Sequence, residues 1–406
     1  MMNCIVAQSG GPTSVINSSV FGLVEANKEL KIYDNVYAGL NGIEGILNKN
    51  IINLSAMDSN ELDTFRRTPS SGLGSCRYKL KDSSLCEDEY ISLMSILNEL
   101  NIKAFFYIGG NDSMDTTAKL SKYAKEHGID IKFIGIPKTI DNDLMFTDHT
   151  PGFGSAAKFI ATSVLETYLD STVYIDNGIF ILETMGRDTG WLAAAGALAT
   201  VDGRRAADYV YLPEVAFDKV KFINDVRETF MKNNHVYIVA SEGLRDETGS
   251  FLTASSLGAN HDKFGHTQLG GVAHYLRTLI IDAGITSRVK TLELGVLQRC
   301  AMHSASKIDF EEAHMVGRDA LKYSAEGYTG YMVAIKRSEG NDYSSSSFLI
   351  EADKVANKVK YFPLDWVNSE GNNITEEAIA YLKPLVFDIP ELKFSDSLPQ
   401  YKVFRS

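Results

Sequence analysis

The chain of 406 residues has little of what marks several protein classes. Its four cysteines, Cys4, Cys76, Cys86 and Cys300, form no CxxC pair and no spacing that suggests bridges. The cysteine pattern leads to the expectation of a reducing compartment, and at 406 residues the chain is far too long for a small disulfide-stapled or metal-stapled module. Positive charge is scarce as well. Forty lysines and arginines face 52 acids, a net charge of −12, which disfavours coating nucleic acid or anionic membrane because both demand a positive field. Any anionic substrate must then meet a locally basic pocket. Long hydrophobic runs are absent, and the most apolar stretch, Gly190 to Val201, is too short to cross a bilayer. Met1 to Ala7 lacks a basic segment and a long apolar core and reads as a first strand, so no signal peptide and a cytoplasmic location are expected. Low-complexity linkers, charge blocks and sequence repeats are also missing. At about 150 residues per domain, the length fits two or three domains with a large core.

What the chain does contain is an alternation of short apolar runs with longer segments of helical period, the pattern of an α/β protein whose parallel strands are covered on both faces by crossover helices. Strands are expected at Asn3 to Gln8, Asn35 to Ala38, Lys103 to Ile108, Lys132 to Ile136, Gly178 to Glu183, His235 to Ala240, Lys290 to Leu294 and Tyr328 to Lys336. Helices are expected at Val15 to Glu29, Glu87 to Leu100, Met114 to His127, from Gly154 or Ser155 to Leu169, and Asp309 to Tyr323. The serine run Ser344 to Ser347 reads as a loop. Two similar lobes facing a cleft are expected: residues 1–150 with part of 300–350, and 151–299 with part of the C-terminal region. The stretch 330–406 is an extension to which the sequence assigns no role.

In open parallel sheets ligands sit beyond the carboxyl ends of strands, and the chemical motifs of this chain lie there. Ser9-Gly10-Gly11-Pro12-Thr13-Ser14 follows the first strand; it is either an anion site at a helix N-terminus or an ordinary glycine turn, and it is neither a Walker A loop nor GxGxxG. Ile108-Gly109-Gly110-Asn111-Asp112-Ser113 places an acid beside glycines, where it could hold magnesium through water or cap the following helix. In Pro137-Lys138-Thr139-Ile140-Asp141-Asn142-Asp143, a lysine and two aspartates suit phosphoryl transfer: a base for an alcohol, a carboxylate toward a metal, a cation for phosphate charge. A solvated turn is the alternative. Met185-Gly186-Arg187, Ser241-Glu242-Gly243 and Leu294 to Arg299 add an arginine fork and further polar groups at strand ends, and Ser70 to Arg77 offers another glycine-rich loop. Together these describe a cleft with four cationic anchors, Arg77, Lys138, Arg187 and Arg299, and clustered acids.

At these residues the sequence resembles the phosphofructokinase family over roughly residues 3 to 320, with six motifs in the family's order: Ser9 to Gly11, Gly72 to Arg77, Gly109 to Asp112, Pro137 to Asp143, Met185 to Arg187 and Leu294 to Arg299. The resemblance implies two Rossmann-like lobes with parallel-rich sheets and an active site in the cleft between them. It also implies Mg2+ dependence and phosphoryl transfer to the 1-hydroxyl of fructose 6-phosphate. Carried onto matching positions, Asp141 is the base, flanked by Thr139 and Asp143. Met185, Gly186, Arg187, Glu242 and Arg299 hold the sugar phosphate, Gly11 and Arg77 face the donor phosphates, and Asn111 takes the place of the magnesium-associated aspartate. A neutral amide there can orient a hydrated ion but adds no charge.

Two positions bear on the donor. Asp112 replaces a motif glycine and Lys138 precedes the threonine, and both resemble the diphosphate-dependent branch of the family. A carboxylate at Asp112 would occupy the space of an ATP α-phosphate. Two unit charges about 4 Å apart at an effective dielectric near 20 repel by about 4 kcal/mol, roughly a thousandfold in affinity. Lys138 would stabilise charge on the leaving phosphate. The resemblance further implies a reaction that runs both ways and a homodimer or homotetramer, with diphosphate and fructose 6-phosphate as partners. Val296 and Gly178 depart from the pattern, the latter where many relatives carry an arginine. Rival readings are an ATP-dependent enzyme, an acceptor such as sedoheptulose 7-phosphate, and a non-catalytic sugar-phosphate sensor. His261, His266 and His274 contain no HExxH zinc motif, and Cys76 beside Arg77 invites a lowered thiol pKa.

Overall fold

The computed structural model describes residues 2–253, 270–340 and 342–404. Within it the chain forms two compact units. One comprises Met1–Ser155, Arg299–Val359 and Asp388–Ser406, and the other Ala156–Gln298 and Lys360–Phe387.

The first unit is built on a seven-stranded sheet in the order Ser345–Glu351, Tyr331–Arg337, Lys132–Pro137, Ile102–Gly109, Asn3–Gln8, Asn35–Gly39 and Ile51–Asn53. Its inner pairings are parallel, and the strand at each edge is antiparallel to its neighbour. Successive side chains of a strand point to opposite faces, so a strand covered on both sides must be apolar throughout. Asn3–Gln8 shows this in its middle: all six residues are buried, and Cys4 to Ala7 between the polar ends are apolar. Cys4 and Val6 join Phe106, Ile134 and Ile136 on one face, against Val20, Leu23, Val316 and Ala320 of the helices Ile16–Leu30 and Lys307–Ala325. Ile5 and Ala7 join Phe105, Tyr107 and Phe133 on the other, against Leu93, Leu97, Leu120 and Tyr123 of Glu87–Glu99 and Asn111–Glu126.

Ser344 to Ser347 departs from expectation. Ser345 begins an edge strand, Ser345–Glu351, paired with Tyr331–Arg337. Ser345 and Ser347, two residues apart and so on one face, meet carboxylates rather than apolar groups: Ser345 Oγ donates to Glu312 at 2.6 Å and Ser347 Oγ to Asp319 at 2.7 Å.

The second unit carries a parallel four-stranded sheet, in the order Val289–Glu293, Ile179–Thr184, Val236–Ser241 and Tyr209–Tyr211. Ile179, Ile181, Ile238 and Ala240 pack with Phe222 and Val226 of the helix Lys219–Asn233 and Leu276 and Ile280 of Val272–Asp282. The stretch after residue 330 is shared out, Lys360–Phe387 belonging to this second unit. There Phe362 and Trp366 pack edge-on and Tyr381 tilted against Trp191, and Arg205 donates to the Ile374 carbonyl at 2.7 Å. No helix among the described residues is long and apolar enough to cross a membrane.

Candidate active site

In the first unit, three neighbouring parallel strands, Lys132–Pro137, Ile102–Gly109 and Asn3–Gln8, end side by side, and their loops meet. The Lys138 amide donates to Gly109 O at 3.0 Å and the Ser9 amide to Ile108 O at 2.9 Å. Gly10 N bonds Cys76 O at 2.9 Å and Ser75 Oγ bonds Gly10 O at 2.7 Å, which draws in the Gly72 to Arg77 loop. Gly10 has φ +74, and a Cβ on Gly11 would lie 3.2 Å from the Arg299 guanidinium, so these positions favour glycine for conformation and for close approach.

Lys138 is 3% exposed, and its ammonium donates to Gly11 O at 2.5 Å. Burial holds its pKa down to about 8, opposed by Asp141 and Asp143 and reinforced by Arg299 and Arg77. Five of the expected site residues thus share one electrostatic environment. Thr139 Oγ1 accepts from the Asp141 amide at 3.1 Å and lies 3.4 Å from its carboxylate, and the buried Asn142 between the aspartates takes φ +53. That tight turn sets Asp141 and Asp143 off the strand end.

Asn111 opens the helix Asn111–Glu126, whose N-cap, Gly110, makes no side-chain cap bond. Asp112 lies inside the first turn and is exposed, its charge at the positive end of the helix, so it does not take the capping place. Asn111 Oδ1 is buried without a hydrogen-bond partner. Three or more metal-ligating acid, histidine or cysteine side chains gather nowhere among the described residues. A hard, hydrated ion shared with phosphate oxygens fits such a site: magnesium keeps several waters and needs few protein ligands, and an orphaned amide oxygen can serve as one.

In the second unit the ends of Ile179–Thr184, Val236–Ser241 and Val289–Glu293 hold Met185-Gly186-Arg187. The Met185 amide donates to Gln298 Oε1 at 3.1 Å, the Gly186 amide to Glu242 Oε1 at 3.4 Å, and Ser241 Oγ to Gly186 O at 2.5 Å. Gly186 has φ +132, and a Cβ there would stand 2.6 Å from Thr189 O. The Arg187 side chain is 31% exposed, 3.9 Å from Asp188, with its guanidinium 5.8 Å from the Phe251 ring centre. Burial raises the Glu242 carboxyl against the pull of the Gly186 amide and Arg187. Burial, Glu293 and Glu242 together push Glu183 up to about 7, against the Ala273 and Gly271 amides.

Several contacts escaped the sequence reading. Gln298 closes the second unit's loop, while Arg299, grouped in advance with Arg187, has its guanidinium beside Gly11 of the first unit. Glu214 Oε1 accepts from both Gly190 and Phe362 amides, at 2.9 and 2.8 Å, and the Trp191 indole donates to Lys360 O at 3.0 Å. The late segment Lys360–Phe387 therefore buttresses the Arg187 loop; no motif signalled it, because its polar contacts there are made by the Phe362 amide and the Lys360 carbonyl and its other contacts by single aromatic rings far away in sequence. A Cβ at Gly178 would stand 2.3 Å from Arg288 O, so no side chain fits there. Val296 is 60% exposed. The lowered thiol pKa entertained for Cys76 is corrected: the residue is 5% exposed, and burial pushes its thiol up. His261 and His266 lie outside the described residues; His274 Nδ1 is 3.2 Å from Glu293.

The chain is 41% identical over 402 residues to a pyrophosphate--fructose 6-phosphate 1-phosphotransferase of Halomonas elongata, covering 98% of this chain and 95% of that protein. It is 33% identical over 346 residues to a sulfofructose kinase of Alkalicoccus urumqiensis, covering 85% and 86%. A crystal structure of a pyrophosphate-dependent phosphofructokinase from Nitrosospira multiformis superposes with a TM-score of 0.89 at 36% identity, covering 98% of this chain and 95% of that one. The phosphofructokinase family pattern itself matches residues 3–323, and with the strand-end loops built as described, this chain belongs to the phosphofructokinase family.

Proposed function

We propose that the protein transfers a phosphoryl group from diphosphate to the 1-hydroxyl of fructose 6-phosphate, giving fructose 1,6-bisphosphate and phosphate. Asp141 takes the proton of the 1-hydroxyl, and the hydroxyl oxygen bonds to the terminal phosphorus. The bridging P–O bond breaks, and its electron pair leaves with phosphate. Lys138 stabilises that leaving charge in this reading, which is supported by its burial: an ammonium whose pKa burial has lowered gains from an arriving anion. Gly11 and Arg77 bind the donor. Met185, Gly186, Arg187, Glu242 and Arg299 bind the sugar phosphate, with Thr139 and Asp143 fixing the turn around the base. Asn111 Oδ1 would help hold magnesium, which would supply positive charge for the diphosphate oxygens.

The observation that carries the choice of donor is the exposed Asp112 carboxylate at the head of its helix, on the loop whose Gly109 carbonyl accepts from Lys138. Diphosphate leaves that place empty, whereas a nucleotide would set a phosphate against it. Because diphosphate and the sugar bisphosphate are comparable phosphoryl donors, the same reading takes the reaction to run both ways, in a cytoplasmic homodimer or homotetramer. The relative named sulfofructose kinase supports a second reading, with the same donor and a different anionic sugar as acceptor. The test is 31P spectroscopy of the purified protein with magnesium, diphosphate and either fructose 6-phosphate or sedoheptulose 7-phosphate. A bisphosphate peak with the first acceptor at the higher rate supports the proposal, and no turnover with either overturns it.

A further inference from the structure

The segment after the Asp141 loop carries buried charges that the proposed reaction does not use. His149, its side chain 1% exposed, has a carboxylate on each ring nitrogen: Asp148 Oδ1 at 2.8 Å from Nδ1, and Glu312 of the helix Lys307–Ala325 on Nε2. Only an imidazolium donates from both nitrogens at once. Glu312 accepts further bonds from Tyr343 and Ser345 hydroxyls, the Tyr343 hydroxyl also lies 3.5 Å from His149 Nε2, and Arg337 stands 3.1 Å from Asp148. Burial alone would lower the histidine pKa, yet Glu312 and Asp148 carry it up to about 9, while His149 holds Glu312 below the usual carboxylate range despite burial.

This pair reaches the reaction loop through two residues. Thr150 Oγ1 donates to Thr139 O at 2.9 Å, and the Thr139 amide donates to Pro151 O at 3.2 Å. Thr139 in turn holds the Asp141 amide. The same helix contributes Asp309, whose carboxylate accepts from Gly152 and Ser155 amides at 2.7 and 2.9 Å. Residues 149–155 are thus pinned by one buried charged face, and Thr139 is bracketed by what is pinned.

We propose that the buried His149–Glu312 ion pair is a positioning element for Asp141, fixing Thr150 and Pro151 so that Thr139 presents the base. This rests on the reading of Asp141 as the base. An error of about 1 Å in placing a reacting group costs on the order of a hundredfold in rate without weakening substrate binding. Glu312→Leu, which removes the partner, should therefore lower kcat by about 10- to 100-fold with both KM values within about twofold. Glu312→Gln, which keeps a hydrogen bond to the ring, should recover most of that loss. If Glu312→Leu does not fold, Thr150→Val cuts the same chain one step nearer Asp141 and should give the same kcat-selective loss.

Ring-nitrogen NMR reads the pair independently of turnover: of the eight histidines, one should keep both N–H protons at pH 8 in the wild type and lose one of them in Glu312→Gln. Folded variants whose kcat stays within twofold, a loss expressed wholly in KM, or no doubly protonated ring at pH 8 would overturn the proposal. A wild-type protein inert with diphosphate would overturn the assigned reaction instead, and the ring spectra would still decide the pairing.

Discussion

In the first unit the strand-end loops press a buried lysine toward two arginines, Arg77 and Arg299; in the second they gather the carboxyls of Glu183, Glu242 and Glu293 around a loop that carries one arginine. The outcomes are opposite in sign. Lys138 is held below its ordinary pKa, as a group waiting for negative charge would be, and Glu183 is held above its own, as a group most stable when neutral. Uncharged groups help fix the backbone of the second loop: the Met185 amide donates to the Gln298 side-chain oxygen, and the Ser241 hydroxyl donates to the Gly186 carbonyl. What this teaches is a difference of charge: the first unit's loops hold a cation made ready for negative charge, and the second unit's loops hold carboxyls that favour the neutral form.

Changes in the first unit should break the chemistry most. Asp141→Asn removes the proposed base and should lower kcat by about a hundredfold to ten-thousandfold, with KM little changed, as steady-state rates will show. Asp112→Gly combined with Lys138→Gly should move the ratio of kcat/KM for diphosphate over ATP by roughly a thousandfold toward ATP. Lys138→Met alone should cost on the order of a hundredfold in kcat. In the wild type, kcat/KM for diphosphate should fall as pH rises through about 8, where the free enzyme's Lys138 loses its proton; at saturating diphosphate the fall in kcat should come at higher pH, because the bound anion favours the ammonium.

The smallest effect belongs to the second unit and concerns stability. The folded pKa of Glu183 lies above its ordinary 4.5, so the folded state binds the proton more tightly than the unfolded state. Its contribution is present in full below pH 4.5 and is lost as pH rises toward about 7. Glu183→Gln should therefore raise Tm at pH 8 by a few degrees and flatten its dependence on pH between 5 and 7, measured by calorimetry.

The parallel strands were legible because burial on both faces forces apolar runs, and the loops because glycine and charge follow those runs directly; the strands Asn3–Gln8 and Lys132–Pro137 are examples. Ser344 to Ser347 was not legible, since its alternation pairs hydroxyls with Glu312 and Asp319 instead of burying apolar groups. Within the site, the residue types of Lys138, Asp141 and Arg187 could be read from their chemistry. The supports could not. Gln298, Glu214 and the His149–Glu312 pair act through contacts between segments far apart in sequence, and single side chains at those positions carry no periodic or spacing signal.

The account turns on the donor. Its most direct test is the ratio of kcat/KM for diphosphate over ATP with purified protein, magnesium and fructose 6-phosphate. A ratio of about a thousand or more is the expected result; a ratio of one or less would contradict the role given to Asp112.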